Sequence, residues 1–117
     1  MMCFASKATY LSEDRSIYLG DETMEKAIAL LEVQAMVTAI VGLDAMVKAA
    51  DVKLIHVEKR LGGRLVTVVV EGNVSAVTAA LEAGVEAAKT VGNVMCHEVI
   101  ARPHPDIVKF IKTDKGV

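Results

Sequence analysis

The sequence predicts one α+β domain, built on a four-stranded antiparallel sheet with helices on one face. Short strand-like runs alternate with longer helical stripes in the order βαββαβ, and a Gly62-Gly63 pair joins the second and third strand-like runs. The 117 residues are enough for one domain with its own core. We therefore expect a domain over residues 24–112, an N-terminal arm over residues 1–23 and a tail over residues 113–117.

The expected arm differs in composition from the domain that follows. It holds both tyrosines and one of the two phenylalanines of the chain. Residues 8–11 and 16–19 flank the polar stretch Ser12 to Arg15, a pattern compatible with a short hairpin. Disorder, or a native start at Met24, are the alternative interpretations.

The domain begins with a strand and an amphipathic helix. Residues 27–33 are almost continuously apolar and too short for a helix, which favours a strand buried on both sides. After them, apolar residues recur at alternating steps of four and three, and such a stripe normally faces the core. The residues of this stripe are Met36, Ile40, Leu43, Val47 and Ala50, and it is broadened by Val37, Val41 and Met46.

A hairpin and a second helix follow. Residues 52–59 and 65–71 read as paired strands, and Asn73 is a suitable N-cap for the next helix. One face of that helix carries Val74, Val77, Leu81, Val85 and Ala88, and Gly92 is a suitable end signal. Gly84 costs this helix roughly 1 kcal/mol relative to alanine. Close packing against a neighbouring backbone and a tolerated weak spot explain it equally well.

A fourth strand over residues 95–101 and a short helix over residues 106–112 complete the order βαββαβ plus a terminal helix. This order is that of a ferredoxin-like split βαβ fold. Because the same architecture carries many unrelated functions, the fold alone predicts none of them.

Composition excludes several classes of function. The net charge of −2 gives no electrostatic basis for binding nucleic acid. Cys3 and Cys96 do not form the closely spaced set of a disulfide-stapled secreted domain, so we expect a reducing cytoplasm. No apolar run has the length of a signal peptide or membrane span, and we expect no membrane partner. The high apolar content, 53% with only 3% aromatic residues, suits closely packed faces within and between subunits.

No group of residues predicts catalysis, a metal or a cofactor. Cys96 and His97 are neighbours on a strand and project to opposite faces. His56 can approach His97 across the sheet, but two histidines without a third ligand do not predict zinc. His104 lacks a nucleophile or an orienting carboxylate at motif spacing, and we interpret it as a turn or edge residue.

Three separated segments carry a family resemblance. They are Asp44-Ala45-Met46-Val47-Lys48-Ala49-Ala50-Asp51-Val52, the stretch from Glu58 to Val70 around Gly62-Gly63, and Ile100-Ala101-Arg102-Pro103-His104. In this order they resemble bacterial microcompartment shell proteins of the single-domain, hexamer-forming class. The resemblance covers residues 24–111 and implies flat six-sided tiles that assemble edge to edge into a protein shell around enzymes.

By that resemblance, the loop between strands two and three lines a central pore for small polar or anionic metabolites. The loop residues are Arg60, Leu61, Gly62, Gly63 and Arg64, and the residues at the inter-hexamer edge are Lys48, Asp51, Arg102 and His104. The implied partners are further copies of the chain, other shell proteins at the edges, encapsulated enzymes, and metabolites in the pore. The implied location is a microcompartment shell in the cytoplasm.

The sequence departs from the family pattern at two positions. The loop is one residue longer than the Lys-Ile-Gly-Ser-Gly of many relatives, so the resemblance does not say which residue forms the narrowest point of the pore. Asp51 stands where relatives often have a neutral or basic residue. The alternative function is a ligand-sensing ferredoxin-like module, disfavoured because the loop after strand two is too short for an effector loop. An acylphosphatase-like enzyme shares only the fold and lacks a phosphate-binding pattern here.

Overall fold

A computed structural model describes residues 26–112, so the predicted arm (residues 1–23) and tail (residues 113–117) lie outside the described residues. Within that range the elements are strand β1 (Ala27–Gln34), helix α1 (Met36–Ala49), strands β2 (Lys53–Glu58) and β3 (Leu65–Gly72), helix α2 (Val74–Lys89), strand β4 (Val94–Ile100) and helix α3 (Pro105–Lys112). Their type and order agree with the sequence prediction; the bounds of the four strands and of α3 differ from it by at most one residue, whereas α2 ends at Lys89, three residues before the predicted end signal Gly92.

The four strands form one antiparallel sheet in the order β2-β3-β1-β4. The apolar first strand is therefore central, with a hydrogen-bonded neighbour on each side; Ala27, Ala29, Leu31 and Val33 face the core, and Ile28 is buried on the opposite face. Helices α1 and α2 cover one face of this sheet, as predicted. The core between sheet and helices consists of buried aliphatic residues, among them Leu31, Val33, Met46, Val68, Val70, Val77 and Val99.

Helix α3 packs on the opposite face of the sheet. Its Ile111 joins Ile28 of β1 and Val69 of β3 in a small second cluster, with Leu30, Ile55 and Ile100 partly buried around it. The expectation of helices on one face thus holds for the two crossover helices, and the terminal helix covers part of the other face. The remainder of that face is polar: Thr67 Oγ1 lies 3.3 Å from Glu32 Oε2, to which it donates a hydrogen bond.

Glycines allow α1 and α2 to cross at close range. A Cβ atom added at Gly84 would lie 2.4 Å from Met46 Cγ and 3.2 Å from the backbone oxygen of Gly42. Real Cβ atoms do not approach other atoms so closely, so the crossing requires a residue without a side chain at position 84. Of the two interpretations of Gly84, close packing is the correct one.

The buried face of α1 differs from the predicted stripe. Its buried residues are Thr38, Ala39, Gly42 and Met46, which are small except for the methionine. Of the predicted stripe, Leu43 and Ala50 pack partly against the core, whereas Met36, Ile40 and Val47 are exposed. The prediction was wrong because α1 is apolar on two faces, and the close crossing with α2 selects the face with small residues.

Helix α2 begins after Asn73 as predicted but ends at Lys89, with Thr90 as its C-cap residue, and neither predicted end signal acts in the expected way. Asn73 is the N-cap residue, yet its side chain makes no capping hydrogen bond. Gly92 does not adopt the left-handed conformation typical of a helix end. It is required for another reason, since a Cβ atom there would lie 2.4 Å from Thr38 Oγ1 of α1.

Candidate functional site

The loop between β2 and β3 is an exposed turn of unusual backbone conformation. Three consecutive residues have positive φ: Gly62 at 80°, Gly63 at 62° and Arg64 at 64°. The N–H of Leu65 donates to the oxygen of Gly62 over 3.0 Å and closes the turn. A side chain at either glycine would meet no atom within 4 Å, so these glycines are explained by their positive φ and not by crowding.

The loop is tied to the end of β1. Gln34 Nε2 donates to the oxygen of Gly63 over 3.3 Å, and the N–H of Ala35 donates to the oxygen of Arg64 over 2.6 Å. Asn93, just before β4, donates from Nδ2 to Gln34 Oε1 over 3.1 Å. The end of the central strand β1, supported by Asn93 before the outer strand β4, therefore braces the loop that connects β2 to β3.

Positive charge dominates the loop. Residues 58–64 contain three basic side chains, Lys59, Arg60 and Arg64, and one acidic side chain, Glu58. The Glu58 carboxylate accepts a hydrogen bond from the backbone N–H of Arg60 over 3.1 Å, and its other oxygen lies 3.4 Å from Nε2 of the half-buried His56. The carboxylate thus sits at the Arg60 side of the loop.

An apolar groove of about 390 Å³ opens beside this loop. The exposed side of α1 forms one wall, and the groove reaches the base of the loop at Lys59. Ile40 on this wall is 57% exposed, and Val37 next to it is 63% exposed. Apolar side chains clustered in this way are costly to leave in water and mark a surface for association.

The predicted edge residues lie at the other end of the sheet. Asp51 is at that end because a Cβ atom on Gly72, the last residue of β3, would lie 3.0 Å from the Asp51 oxygen. Arg102 follows the last residue of β4 at the same end, since Ile28 pairs with both Glu71 and Ile100. Lys48, in the last turn of α1, is exposed and lies 2.8 Å from Asp44.

His104 is exposed, and its Nδ1 accepts the backbone N–H of Asp106 at the start of α3 over 3.0 Å. Its own oxygen accepts from Ile107 and Val108 in the first turn. This geometry agrees with the interpretation of His104 as a turn residue. Its role at an edge between hexamers stays a prediction, as do the roles of the other edge and loop residues.

Comparison with known proteins identifies the family. Residues 27–103 match the BMC domain, the domain of bacterial microcompartment proteins. The chain belongs to the BMC domain family. The resemblance that the loop, the α1 segment and the Arg-Pro-His segment indicated is thereby confirmed, and so is the fold class.

Relatives of this BMC domain carry the names of shell proteins. The bacterial microcompartment shell protein PduA of Salmonella typhimurium is 46% identical over 93 residues, which cover 80% of this chain and 96% of PduA. The shell protein EutM of Escherichia coli K12 is 45% identical over 70% of this chain and 84% of EutM. The carboxysome shell protein CsoS1 of Prochlorococcus marinus is 43% identical over 76% of this chain and 86% of CsoS1.

A solved structure gives the same result for the fold. The crystal structure of a microcompartment protein from Desulfitobacterium hafniense superimposes with a TM-score of 0.66 at 30% identity. The match covers 75% of this chain and 47% of the solved chain, so this BMC domain spans about half the length of that protein.

The histidines of this BMC domain do not come together. His56 is in β2 and His97 is in β4, which are the two outer strands of the sheet, so the approach across the sheet that the sequence allowed does not occur. Cys96 pairs with Glu32 and His97 with Leu31, which places the two on opposite faces as predicted.

Within residues 26–112, no group of three His, Cys, Asp or Glu side chains is arranged to hold a metal. None of the helices in this range is long and apolar enough to cross a membrane.

Sequence reasoning missed the residues that brace the loop. Gln34, Ala35 and Asn93 have no motif spacing, and 59 positions separate Gln34 from Asn93. One local signal lies at Ala35. A strand there passes into a helix within one residue, and the chain has no Gly, Ser, Asn or Asp at that position to ease the turn. The backbone of Ala35 is accordingly strained, with a φ of 86°.

Proposed function

We propose that this protein is a structural subunit of a bacterial microcompartment shell that forms rings of six. In this proposal residues 60–64 of each copy surround a central pore, and Lys48, Asp51, Arg102 and His104 face neighbouring rings. The observation that carries the proposal is the position of these two sets at opposite ends of one sheet. A flat tile needs this arrangement, with one end of each subunit at the axis and the other at the rim.

The apolar groove supports assembly around the loop. The groove and the exposed side of α1 lie next to Lys59, at the loop end of the subunit. A second copy that covers Met36 and Ile40 removes apolar surface from water at about 25 cal/mol per Å². Because that contact is adjacent to the loop, repeated contacts of this kind bring successive loops toward a common axis.

The charge of the loop favours anions in the pore. Each copy contributes two positively charged guanidinium groups, from Arg60 and Arg64. Repetition around a ring concentrates this charge, which attracts small anions such as carboxylates and phosphates and opposes cations. Gly62 and Gly63 bring no side chains to the tip, so the opening there is bounded by backbone.

The rim residues fit lateral contacts between tiles. The ion pair of Lys48 with Asp44 is exposed on both sides and of the i,i+4 type, which contributes only about 0.3–0.5 kcal/mol. Lys48 therefore exchanges this partner for acceptors on a neighbouring tile at little cost. In this role the protein is a scaffold and not a catalyst, and its partners are other shell proteins and the enzymes enclosed by the shell.

Two measurements test the proposal. Native mass spectrometry is expected to give the mass of six 12.5-kDa chains, whereas a trimer or dimer would refute the ring and favour a sensing module. Passage of small anions and cations through a reconstituted sheet or shell tests the pore. Single Arg60→Gln and Arg64→Gln variants should lower the preference for anions. Equal permeability in the parent and both variants would refute the claim of a selective pore and would not bear on the structural role.

A further inference from the structure

We infer that Gln34 and Asn93 are positioning residues that hold the backbone of Arg64 in one conformation, so that its side chain leaves the loop in a direction that sets the ion preference of the pore; this rests on the proposed pore function. We call Gln34, Ala35 and Asn93 the loop clamp. The proposal assigns the selective charge to Arg64 in preference to Arg60. It concerns residues that lie outside the loop and, in the proposed ring, do not themselves line the pore.

The side-chain amide of Gln34 is engaged on both sides. Its nitrogen donates to the oxygen of Gly63, and its oxygen accepts from the side chain of Asn93. The two residues are also joined through the backbone, where the N–H of Gln34 donates to the oxygen of Asn93 over 3.0 Å. Since both ends of the amide have partners, its orientation is fixed, and one donor is directed at the loop.

The clamp holds two consecutive peptide groups of the loop. The oxygen of Gly63 accepts from the Gln34 side chain, and the next oxygen, that of Arg64, accepts from the N–H of Ala35. Fixing the peptide planes on both sides of a residue fixes its φ and ψ. For Arg64 this conformation is left-handed, which residues with a side chain rarely adopt unless their surroundings impose it.

A residue held in this way projects its side chain in one direction from the backbone. The Cα–Cβ bond of Arg64 therefore points the same way in every copy of a ring, and its guanidinium is limited to the region that the arginine rotamers reach from that bond. Arg60 differs, because its backbone N–H bonds to the carboxylate of Glu58, two residues before it in sequence, and its φ is not in the left-handed region. The charge of Arg64 and the clamp that directs it are thus the pair on which the ion preference depends.

Hydrogen exchange tests the clamp directly in the assembled full-length protein. Gln34→Met keeps the length of the side chain and removes both hydrogen bonds of the side-chain amide, to the Gly63 oxygen and from Asn93. We expect backbone exchange across residues 60–65 to become about fivefold faster, the change that follows from loss of one net hydrogen bond. Thr90→Val is the matched control, because it removes an exposed bond to the Ala87 oxygen and touches no loop residue. Exchange in residues 60–65 that is the same in Gln34→Met, Thr90→Val and the parent would overturn the clamp.

Ion selectivity tests the functional half of the inference. Gln34→Met should lower the ratio of anion to cation passage toward that of Arg64→Gln, while Thr90→Val leaves it unchanged. In an Arg64→Gln background the Gln34→Met change should have no further effect, and in an Arg60→Gln background it should keep its full effect. The same effect in both backgrounds, or faster exchange with unaltered selectivity, would refute the assignment to Arg64.

The two measurements also separate this inference from the proposed function. A parent assembly without any ion preference counts against the pore itself. Hydrogen exchange of the loop does not depend on passage through a pore, so it tests the clamp whatever the permeability of the parent.

Discussion

Replacing Gly84 by alanine should destabilise this protein although alanine is the better helix former. In an open helix this change stabilises by about 1 kcal/mol. Here the new Cβ atom would lie 2.4 Å from Met46 Cγ and 2.9 Å from its sulfur, so these atoms must move by about 1 Å to reach ordinary contact distance. Met46 is fully buried and has little room to move.

The expected magnitude follows from these two opposing effects. Overpacking of a filled core costs about 1–3 kcal/mol, and the upper part of this range applies because the backbone oxygen of Gly42 is also only 3.2 Å from the new atom. Subtracting the gain in helix propensity leaves a net loss of about 1–2 kcal/mol. For a domain of this size the melting temperature should fall by roughly 5–10 °C.

Urea unfolding followed by circular dichroism measures this difference. The protomer concentration must be the same for all variants because association contributes to apparent stability. A double-mutant cycle isolates the contact: in a Met46→Ala background the clash with the methionine is absent and only the 3.2 Å approach to the Gly42 oxygen remains, so Gly84→Ala should cost clearly less than in the parent. Gly42→Ala is the control within the same crossing, since its Cβ meets a terminal methyl group of Leu31 at 2.9 Å and should cost less. Stabilisation by Gly84→Ala in the parent would refute the reasoning and restore the interpretation as a weak spot.

Three further predictions concern strain, assembly and the rim. Ala35→Gly should raise the free energy of unfolding by about 1 kcal/mol in the same urea assay, because relief of a strained positive φ outweighs the entropy of glycine; a loss would show that the conformation is not strained. Ile40→Glu should leave circular dichroism unchanged but shift native mass toward the monomer, as Ile40 is exposed on the groove wall, and intact six-subunit particles would exclude this surface from the interface. Lys48→Ala should leave particles of unchanged native mass but suppress sheets in electron micrographs; a variant that fails to fold would make Lys48 a structural residue instead.

Features that depend on neighbours along the chain could be predicted from the sequence. The strands and helices follow from residue periodicity, and the Gly62-Gly63 turn follows from the need for positive φ between two strands. Such features are set by interactions within a few residues, and each predicted strand was found within one residue of its bounds. The family resemblance is of the same kind, since it rests on three short segments.

Other features were decided by contacts between distant segments. The strand order β2-β3-β1-β4 keeps His56 and His97 apart; the hairpin pattern predicted the pairing of β2 with β3, but no local pattern specifies that β1 pairs with β3 and β4. The crossing of α1 and α2 decided that α1 buries Ala39 and Gly42 and leaves Ile40 exposed, because small residues allow the closest approach of two backbones. The clamp joins Gln34 to Asn93 across 59 positions of the chain. Hydrogen-bond partners so far apart are brought together only by the folded sheet. The conformation of the loop is therefore a property of the tertiary structure, whereas its glycines and arginines are evident from the sequence alone.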